Sequence, residues 1–272
     1  MKHYLKIAKI IFLFLAIGVF ITFAWSSRDT LWTILNNATF PLLMQSILLW
    51  ILLHLFAPLL ATLLFRGLAE QINYADAFRI HASRLPAKYL PGGIWHSVAR
   101  GEGYHSSGVA PKSVMLYLLI ENLLSAGITL SLGGMIVHHY YHGATIFSAA
   151  IVSIIFVALG IVLMTPLVIC KRFLPEGKCS LLIPNYLLGI SIALTFWVGA
   201  SWSFLCFIQA MPDSSIEASA LQVMGVYLFS WGIGFITLFA PQGIGVSEYI
   251  SSLLLQHGVE GGAMIVLLAG FR

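Results

Sequence analysis

The residues best suited to chemistry surround two places where proline and glycine interrupt apolar sequence. The first break reads Lys88-Tyr89-Leu90-Pro91-Gly92-Gly93-Ile94-Trp95, and the second reads Pro241-Gln242-Gly243-Ile244-Gly245. Proline removes a backbone donor and glycine permits unusual backbone angles, so neither stretch favours a continuous helix. Non-helical backbone at membrane depth is tolerated only where protein shields it or where it lines a wet cavity. The shared frame Pro-x-Gly-Ile therefore predicts re-entrant or half-helix segments near 84–105 and 240–271.

Basic residues cluster around the first break. Arg84 and Lys88 are four residues apart and would share one face of a helix, and Arg100 follows on the other side of the break. One interpretation is an ordinary positive-inside patch that contacts anionic lipid headgroups. The other is a binding site in which Arg84, Lys88 and Arg100 hold the phosphate of a particular lipid. The sequence leaves both open.

Acidic residues occur inside apolar stretches at Glu121 and, near the membrane rim, at Glu248. A carboxylate at such a depth must be paired, protonated or facing water, because an isolated charge in hydrocarbon is costly. Either Arg100 or Arg272 could pair with Glu121, in a structural ion pair or in a transport pathway. His54 lies in another apolar stretch, and we expect a hydrogen-bonded interior histidine there rather than a proton carrier.

Catalytic motifs are missing from the chain, so we expect no enzyme activity and no cofactor. The sequence has no Gly-x-x-x-x-Gly-Lys-Ser/Thr loop for nucleotide phosphates, no Gly-x-Ser-x-Gly elbow and no His-Glu-x-x-His zinc motif. The histidines at 81, 96 and 105 match no metal spacing, and those at 138, 139 and 142 are more typical of a membrane interface. A transferase that uses His96 or Glu102 stays open as an alternative.

Composition places these residues in a membrane. Of 272 residues, 59% are apolar and only 9% are charged, far below the roughly one quarter that wets a soluble domain. A span needs about 20 apolar residues. Six stretches qualify, near 7–25, 40–65, 114–137, 144–170, 181–207 and 218–239. We therefore predict one polytopic all-α domain over 1–272, and we expect its cysteines to be free thiols.

The distribution of Lys and Arg predicts the orientation. With the N-terminus in the cytoplasm, twelve of the fourteen basic residues fall in inner segments and Arg28 is the outer exception, apart from the terminal Arg272. Such asymmetry is the positive-inside rule. Because the net charge of +4 sorts to those inner segments, it indicates no nucleic-acid partner.

The two breaks, with Arg100 and Glu121 between them, carry a family resemblance. The stretch from Lys88 to Trp95, followed by Pro241-Gln242-Gly243-Ile244-Gly245-Val246-Ser247-Glu248, resembles the flippase-like transmembrane family of the lysylphosphatidylglycerol synthases, the membrane half of the multiple peptide resistance factor. Where that family has Gly and Arg, this chain has Gln242 and Ser247. The family runs further after the position of Arg272 and often carries a soluble synthase domain, so we expect a shortened, stand-alone member.

The resemblance implies a multi-pass protein of the bacterial inner membrane that moves an anionic phospholipid or a polyprenyl-linked phosphate without ATP hydrolysis. It also implies a setting in envelope lipid or polysaccharide biosynthesis, with the enzymes of that process as possible partners. The alternatives are a membrane-embedded lipid or glycosyl transferase and a non-catalytic accessory subunit.

Overall fold

The computed structural model describes residues 18, 21–89, 95–141, 145–175, 177–212, 216–237, 243–255 and 261–271, without the side chains at 88, 89, 95, 145–147 and 261. Within these ranges the chain is helical and contains no strand, which confirms the prediction of an all-α protein. After a helical stretch at 21–26, the helices are α1 (Arg28–Asn36), α2 (Phe40–Leu53), α3 (Phe56–Gly67), α4 (Tyr74–Arg84), a 3-10 turn (Leu85–Tyr89), α5 (Trp95–Ser106), α6 (Pro111–Tyr140), α7 (Thr145–Phe173), α8 (Cys179–Gln209), α9 (Ala220–Ile236), α10 (Val246–Leu254) and α11 (Gly261–Gly270).

Four stretches are long and apolar enough to cross a bilayer. They are Phe40–Gly67, Pro111–Tyr140, Ser148–Phe173 and Cys179–Gln209. The predicted span at 218–239 corresponds to α9, an apolar helix that is shorter than these four. The predicted span at 7–25 lies almost entirely outside the described residues. The chain is therefore a helical membrane protein, and the total of six spans stays a prediction.

The first long stretch is broken near its middle, although the sequence predicts one continuous span at 40–65. Helix α2 ends at Leu53 and α3 begins at Phe56, so His54 and Leu55 form a turn between them. Proline at position 58 explains the break, because it has no amide proton for the carbonyl of His54 and its ring crowds that carbonyl. The Tyr74 hydroxyl donates to the Leu55 carbonyl over 3.1 Å and so brings α4 against the break.

Helix α6 forms the centre of the bundle. In its most apolar window 61% of the residues are buried inside the protein, against 28–33% in the other long helices. It packs on α7 along one side and on α9 along another, while α8 covers α2 and α3. A Cβ atom on Gly133 of α6 would overlap the backbone nitrogen of Phe229, so the backbones of α6 and α9 touch. Such close approach is how helices associate in hydrocarbon, where burial alone gives little driving force.

The antiparallel packing collects basic side chains at one end of the bundle, which we call the basic end. The Lys112 ammonium at the start of α6 donates to the Phe173 carbonyl at the end of α7, over 2.6 Å. The opposite end is joined by a bond from the Thr39 amide to the Ala210 carbonyl, over 2.8 Å. Helix ends at the basic end carry the following cations: Arg66, Lys112, Lys171, Arg172 and Lys178. The cytoplasmic assignment of this end stays a prediction.

The C-terminal part contains two short helices, α10 and α11. Helix α10 runs antiparallel to α9, since a Ser230–Ser251 hydroxyl pair lies 2.6 Å apart and the Tyr141 hydroxyl bonds the Leu254 carbonyl. Helix α11 then returns into the bundle. It ends where Phe271 packs its ring 5.4 Å from that of Trp50, which lies three residues before the end of α2.

The expectation of free thiols at Cys170 and Cys179 is wrong. These residues form a disulfide, with Cα atoms 5.4 Å apart, because the end of α7 and the start of α8 lie side by side. Their spacing of nine residues did not resemble a disulfide pattern in the sequence. Cys206, by contrast, is a free buried thiol, as expected.

The contact at Gly133 predicts a packing defect. We expect Gly133→Ala to lower the free energy of unfolding by about 1–3 kcal/mol, because the added methyl group pushes α6 away from α9. Unfolding in mixed micelles, followed by circular dichroism, measures the change. Gly160→Ala on α7 is the matched control, since nothing lies within 4 Å of its Cβ position. Equal stability of the two variants would contradict the backbone contact.

Candidate functional site

Helices α4 and α5 form an antiparallel pair that reaches the middle of the bundle from the basic end. The Ile80 side chain of α4 packs against Gly103 of α5, where a Cβ atom would lie only 2.7 Å away. The residues that α4 and α5 contact lie deep in the bundle. His54 is close to the midpoint of the Phe40–Gly67 stretch, and Glu121 is ten residues into α6, roughly 15 Å from its start. Of the predicted segment at 84–105, the structure describes the 3-10 turn and α5, and its re-entry into the membrane stays a prediction.

Arg100 and Glu121 form a buried, two-pronged ion pair at this depth. The Nη1 and Nη2 atoms of Arg100 donate to the two carboxylate oxygens over 2.8 and 2.5 Å. The side chains are only 5% and 11% exposed. Arg100 is therefore the partner of Glu121, which confirms one of the two predicted candidates, while Arg272 lies outside the described residues. Burial alone would lower the pKa of Arg100, but the Glu121 carboxylate outweighs it and raises that pKa.

Tyrosines complete the surroundings of the ion pair. The Tyr117 hydroxyl donates to Glu121 over 3.0 Å and accepts from Arg100 over 3.3 Å. Tyr104 packs its ring 5.3 Å from that of Tyr117 and 4.9 Å from that of Phe65. Its hydroxyl lies near that of Tyr117 without ordinary hydrogen-bond geometry. These rings close the ion pair off from the basic end, so both charges are held in apolar surroundings.

Three histidine rings lie close together beside the ion pair. The His81 ring of α4 contacts that of His54, at the α2–α3 turn, with centroids 5.6 Å apart, and that of His96 on α5, with centroids 6.2 Å apart. His81 is only 5% exposed, and neither of its ring nitrogens bonds a described residue. Burial, reinforced by the positive charge of Arg100, lowers the pKa of His81 to about 3. The ring is therefore neutral at physiological pH.

The residues predicted to bind a headgroup, Arg84, Lys88 and Arg100, do not lie together in one site. Arg84 lies exposed at the end of α4, and its backbone carbonyl is 3.2 Å from Nδ1 of His96. Lys88 follows in the 3-10 turn, and Trp95 begins α5, both with side chains outside the described residues. The motif residues Pro91, Gly92, Gly93 and Pro241 also lie outside the description. Arg100 is set apart from Arg84 because its two terminal nitrogens are bonded within the protein.

The second acidic residue, Glu248, is buried at the start of α10, where it caps the helix. Its carboxylate accepts from the Gly245 amide over 2.7 Å, and the Ser247 hydroxyl lies 2.9 Å away. Gly245 has a φ of 85° and Gly243 a φ of 70°, values that favour glycine. A Cβ atom on Gly243 would also lie 2.5 Å from the carbonyl carbon of Gly234. Both glycines of the second motif are therefore required by the backbone path.

A separate pocket, of about 140 Å³, lies at the end of the bundle opposite the basic end. It is lined mainly by apolar side chains from the end of α8 and the start of α9, among them Ile208, Met211 and Val223. Ligand pockets usually measure about 300–1,000 Å³ and contain several convergent polar groups. The pocket has neither property, so the buried polar cluster is the better candidate site.

Two members of the cluster are not apparent from the sequence. The spacing of His81 matches no metal motif, and among the described residues no group of three or more His, Cys, Asp or Glu side chains could hold a metal ion. Tyr117 by itself gives no signal of a site, unlike the carboxylate of Glu121. It does lie four residues before Glu121 and therefore on the same helical face. That spacing could have identified it as a hydrogen-bond partner of the carboxylate.

Comparison with protein-family models and with curated proteins finds no match for this chain.

The ion pair predicts a large and specific loss of stability. We expect Glu121→Gln to lower the free energy of unfolding by about 3–5 kcal/mol, because it leaves the Arg100 guanidinium buried without a counter-charge. Arg100→Met in the same background should recover part of this loss, and a double-mutant cycle in mixed micelles measures the coupling.

Asp76→Asn is the control for the ion-pair prediction, since it removes a carboxylate from the exposed pair with Arg79. We expect that change to cost no more than about 1 kcal/mol. Additive losses for the changes at 100 and 121 would show that the two charges do not interact.

Proposed function

We propose that this protein moves an anionic phospholipid or a lipid-linked phosphate across the bacterial inner membrane without hydrolysing ATP. The supporting observation is that α4 and α5 bring Arg100 and His81 halfway into the helical bundle, where Arg100 meets Glu121. Charged and polar side chains inside a membrane protein usually mark a pathway for ions, protons or substrates. We also propose membership of the flippase-like family that the sequence resembles, and an envelope biosynthesis enzyme as a partner.

Translocation requires that a lipid headgroup cross the hydrocarbon with its charge compensated. An unpaired charge in an apolar medium costs many kcal/mol, so a protein lowers the barrier by offering polar groups along the path. The α4–α5 pair supplies such groups at two depths. Arg84 is exposed at the end of α4, and Arg100 is buried one helix further along the chain.

In this proposal Arg84 and Lys88, beside the turn at the inner end of the α4–α5 pair, hold the headgroup phosphate inside the bundle, and Arg100 lies between them and the basic end. The two terminal nitrogens of Arg100 already bond Glu121, so they contact a phosphate only when that ion pair opens. A headgroup that replaces the Glu121 carboxylate keeps the cation compensated throughout. Glu121 then acts as the gate.

The direction of movement follows from charge. An inside-negative potential of 100 mV favours outward movement of one negative charge by about 2.3 kcal/mol. If the basic end faces the cytoplasm, as the positive-inside rule predicts, a headgroup that enters from that end moves outward without another energy source. Inward movement of the same lipid requires coupling to a second gradient.

A vesicle assay tests the capture step. The protein is reconstituted with a fluorescent phosphatidylglycerol, and access of an external quencher to both leaflets reports lipid movement. We expect the Arg84→Ala/Lys88→Ala variant to be slower. At about 1 kcal/mol per basic residue, the loss of two charges lowers headgroup occupancy by roughly thirtyfold.

The matched control removes two charges at the basic end, away from the turn between α4 and α5. Lys171 and Arg172 lie in the last turn of α7 and are exposed, so Lys171→Ala/Arg172→Ala changes the net charge equally. We expect this variant to keep the wild-type rate. Equal slowing by both variants would show a general attraction to anionic lipid rather than a capture site. A correctly inserted wild type that moves no lipid would refute the function for phosphatidylglycerol.

A further inference from the structure

The short connection between α7 and α8 contains a disulfide whose surroundings suit reversible chemistry. Cys170 lies in the last turn of α7 and Cys179 is the first residue of α8, with their Cα atoms 5.4 Å apart. Both residues are half-buried, so a small molecule in water can reach them, whereas the free thiol of Cys206 is buried. The bond therefore lies at the edge of the basic end.

The location of this bond determines how long it can persist. The basic end faces the cytoplasm if the positive-inside rule holds. The cytosol keeps thiols reduced, and the disulfides that do form there in mesophiles are usually transient, catalytic or redox-sensing. A permanent structural staple would be out of place at this end of the bundle. Exchange at this site thus depends on the predicted orientation and not on lipid movement.

Cationic side chains surround the disulfide. Lys171, Arg172 and Lys178 lie within two residues of a bonded cysteine in the sequence, and all three are exposed. The sequence of this connection contains one acidic residue, Glu176, so its net charge is +2. The Lys112 ammonium, bonded to the last carbonyl of α7, adds a further positive charge. Positive charge favours the thiolate form of cysteine and attracts negatively charged reagents.

We propose that Cys170 and Cys179 are a reversible redox site that exchanges with a small anionic thiol, with glutathione as the example. A glutathione thiolate attacks one sulfur, so a mixed disulfide forms while the bond between the two cysteines breaks. The other cysteine leaves as a thiolate and takes up a proton. A second glutathione then displaces the protein sulfur and forms glutathione disulfide. The protein gains the two electrons and two protons that two glutathione molecules lose, and glutathione disulfide restores the bond by the reverse reaction.

The two cysteines differ as leaving groups. Cys179 lies at the N-terminal end of α8, where the helix dipole favours a thiolate, and Cys170 lies at the C-terminal end of α7, where the dipole opposes one. A more stable thiolate leaves faster. Attack therefore occurs at Cys170 and leaves the mixed disulfide there, while Cys179 is released.

The disulfide joins two groups of helices that have different main partners. Helix α7 packs mainly on α6, whereas α8 covers α2 and α3. Deeper in the bundle, the Tyr186 hydroxyl of α8 donates to the Val162 carbonyl of α7 over 2.6 Å. Val162 is eight residues before Cys170, roughly 12 Å along the helix. Reduction therefore releases the ends of α7 and α8 from each other at the basic end, while the deeper contact keeps the two helices together.

Thiol counting in defined glutathione buffers tests the exchange. The protein is reconstituted in lipid nanodiscs, equilibrated with glutathione or its disulfide, denatured in acid and labelled with a polyethylene-glycol maleimide. The chain has three cysteines, so we expect one labelled thiol, Cys206, in the disulfide buffer and three in excess glutathione. Mass spectrometry of a briefly reacted sample should find glutathione on Cys170. A thiol count that does not change between the two buffers would overturn the proposal.

Reaction rates test the role of the surrounding charge. The anionic thiol 2-mercaptoethanesulfonate is compared with neutral 2-mercaptoethanol, since the ratio of their rates cancels changes in reactivity that do not depend on charge. We expect Lys171→Ala/Arg172→Ala to lower this ratio about tenfold. Arg28→Ala/Arg79→Ala is the matched control, because it also removes two exposed cations, on α1 and α4, and should keep the ratio. Equal ratios in both variants would contradict recognition of an anionic thiol.

The state of the bond in living bacteria tests whether the site responds to the cytosol. Cells that make glutathione are quenched in acid, and the thiols of the protein are counted in the same way. We expect the reduced pair during growth and the disulfide within minutes of adding the thiol oxidant diamide. A pair that stays oxidised during growth, or that diamide fails to oxidise, would overturn the proposal. Lipid movement is measured separately in vesicles, so failure of the redox site is distinguished from failure of the proposed lipid function.

Discussion

Arg100 and Glu121 each carry a charge that the middle of a helical membrane bundle cannot hold alone. Removing either charge from water costs several kcal/mol, and only a close counter-charge with well-aligned hydrogen bonds offsets that cost. The two-pronged geometry, with Tyr117 bonded to both partners, fixes how far α5 extends along α6. The height of α5 in turn sets the height of α4 through the contact between Ile80 and Gly103. The ion pair therefore determines the height at which His81 and His96 lie in the bundle.

The remainder of the bundle is held by apolar contact. Helices α6 and α9 touch through glycine, and α8 covers both halves of the broken first stretch. These contacts do not depend on charge, so they stabilise the frame around the polar cluster without determining its register. Polar contacts at the ends of the frame, such as the bond from Lys112 to the Phe173 carbonyl, tie neighbouring helices together. The bundle thus consists of an apolar frame with a polar cluster inside it.

Much of this arrangement could be predicted from the sequence. Apolar length identified the membrane class and the long helices, and the cost of a buried carboxylate required a partner for Glu121, with Arg100 as one of two candidates. Two further features have a local sign in the sequence: Pro58 lies four residues after His54, and Tyr117 lies four residues before Glu121. Other features had no local sign. The contact between His54 and His81 and the disulfide between Cys170 and Cys179 depend on how separate helices approach each other, which composition and periodicity do not encode.

The central position of α6 separates the polar cluster from the surrounding lipid. Most of the α6 window is buried, whereas the windows of α2–α3, α7 and α8 are mainly exposed on the outside of the bundle. Hydrophobic mismatch with a thicker or thinner bilayer acts first on such outer helices, which respond by tilting. Helix α6 carries Glu121 but has little contact with lipid, so its length need not match the bilayer. Changes in membrane thickness should therefore reach the ion pair only after the outer helices have absorbed most of them.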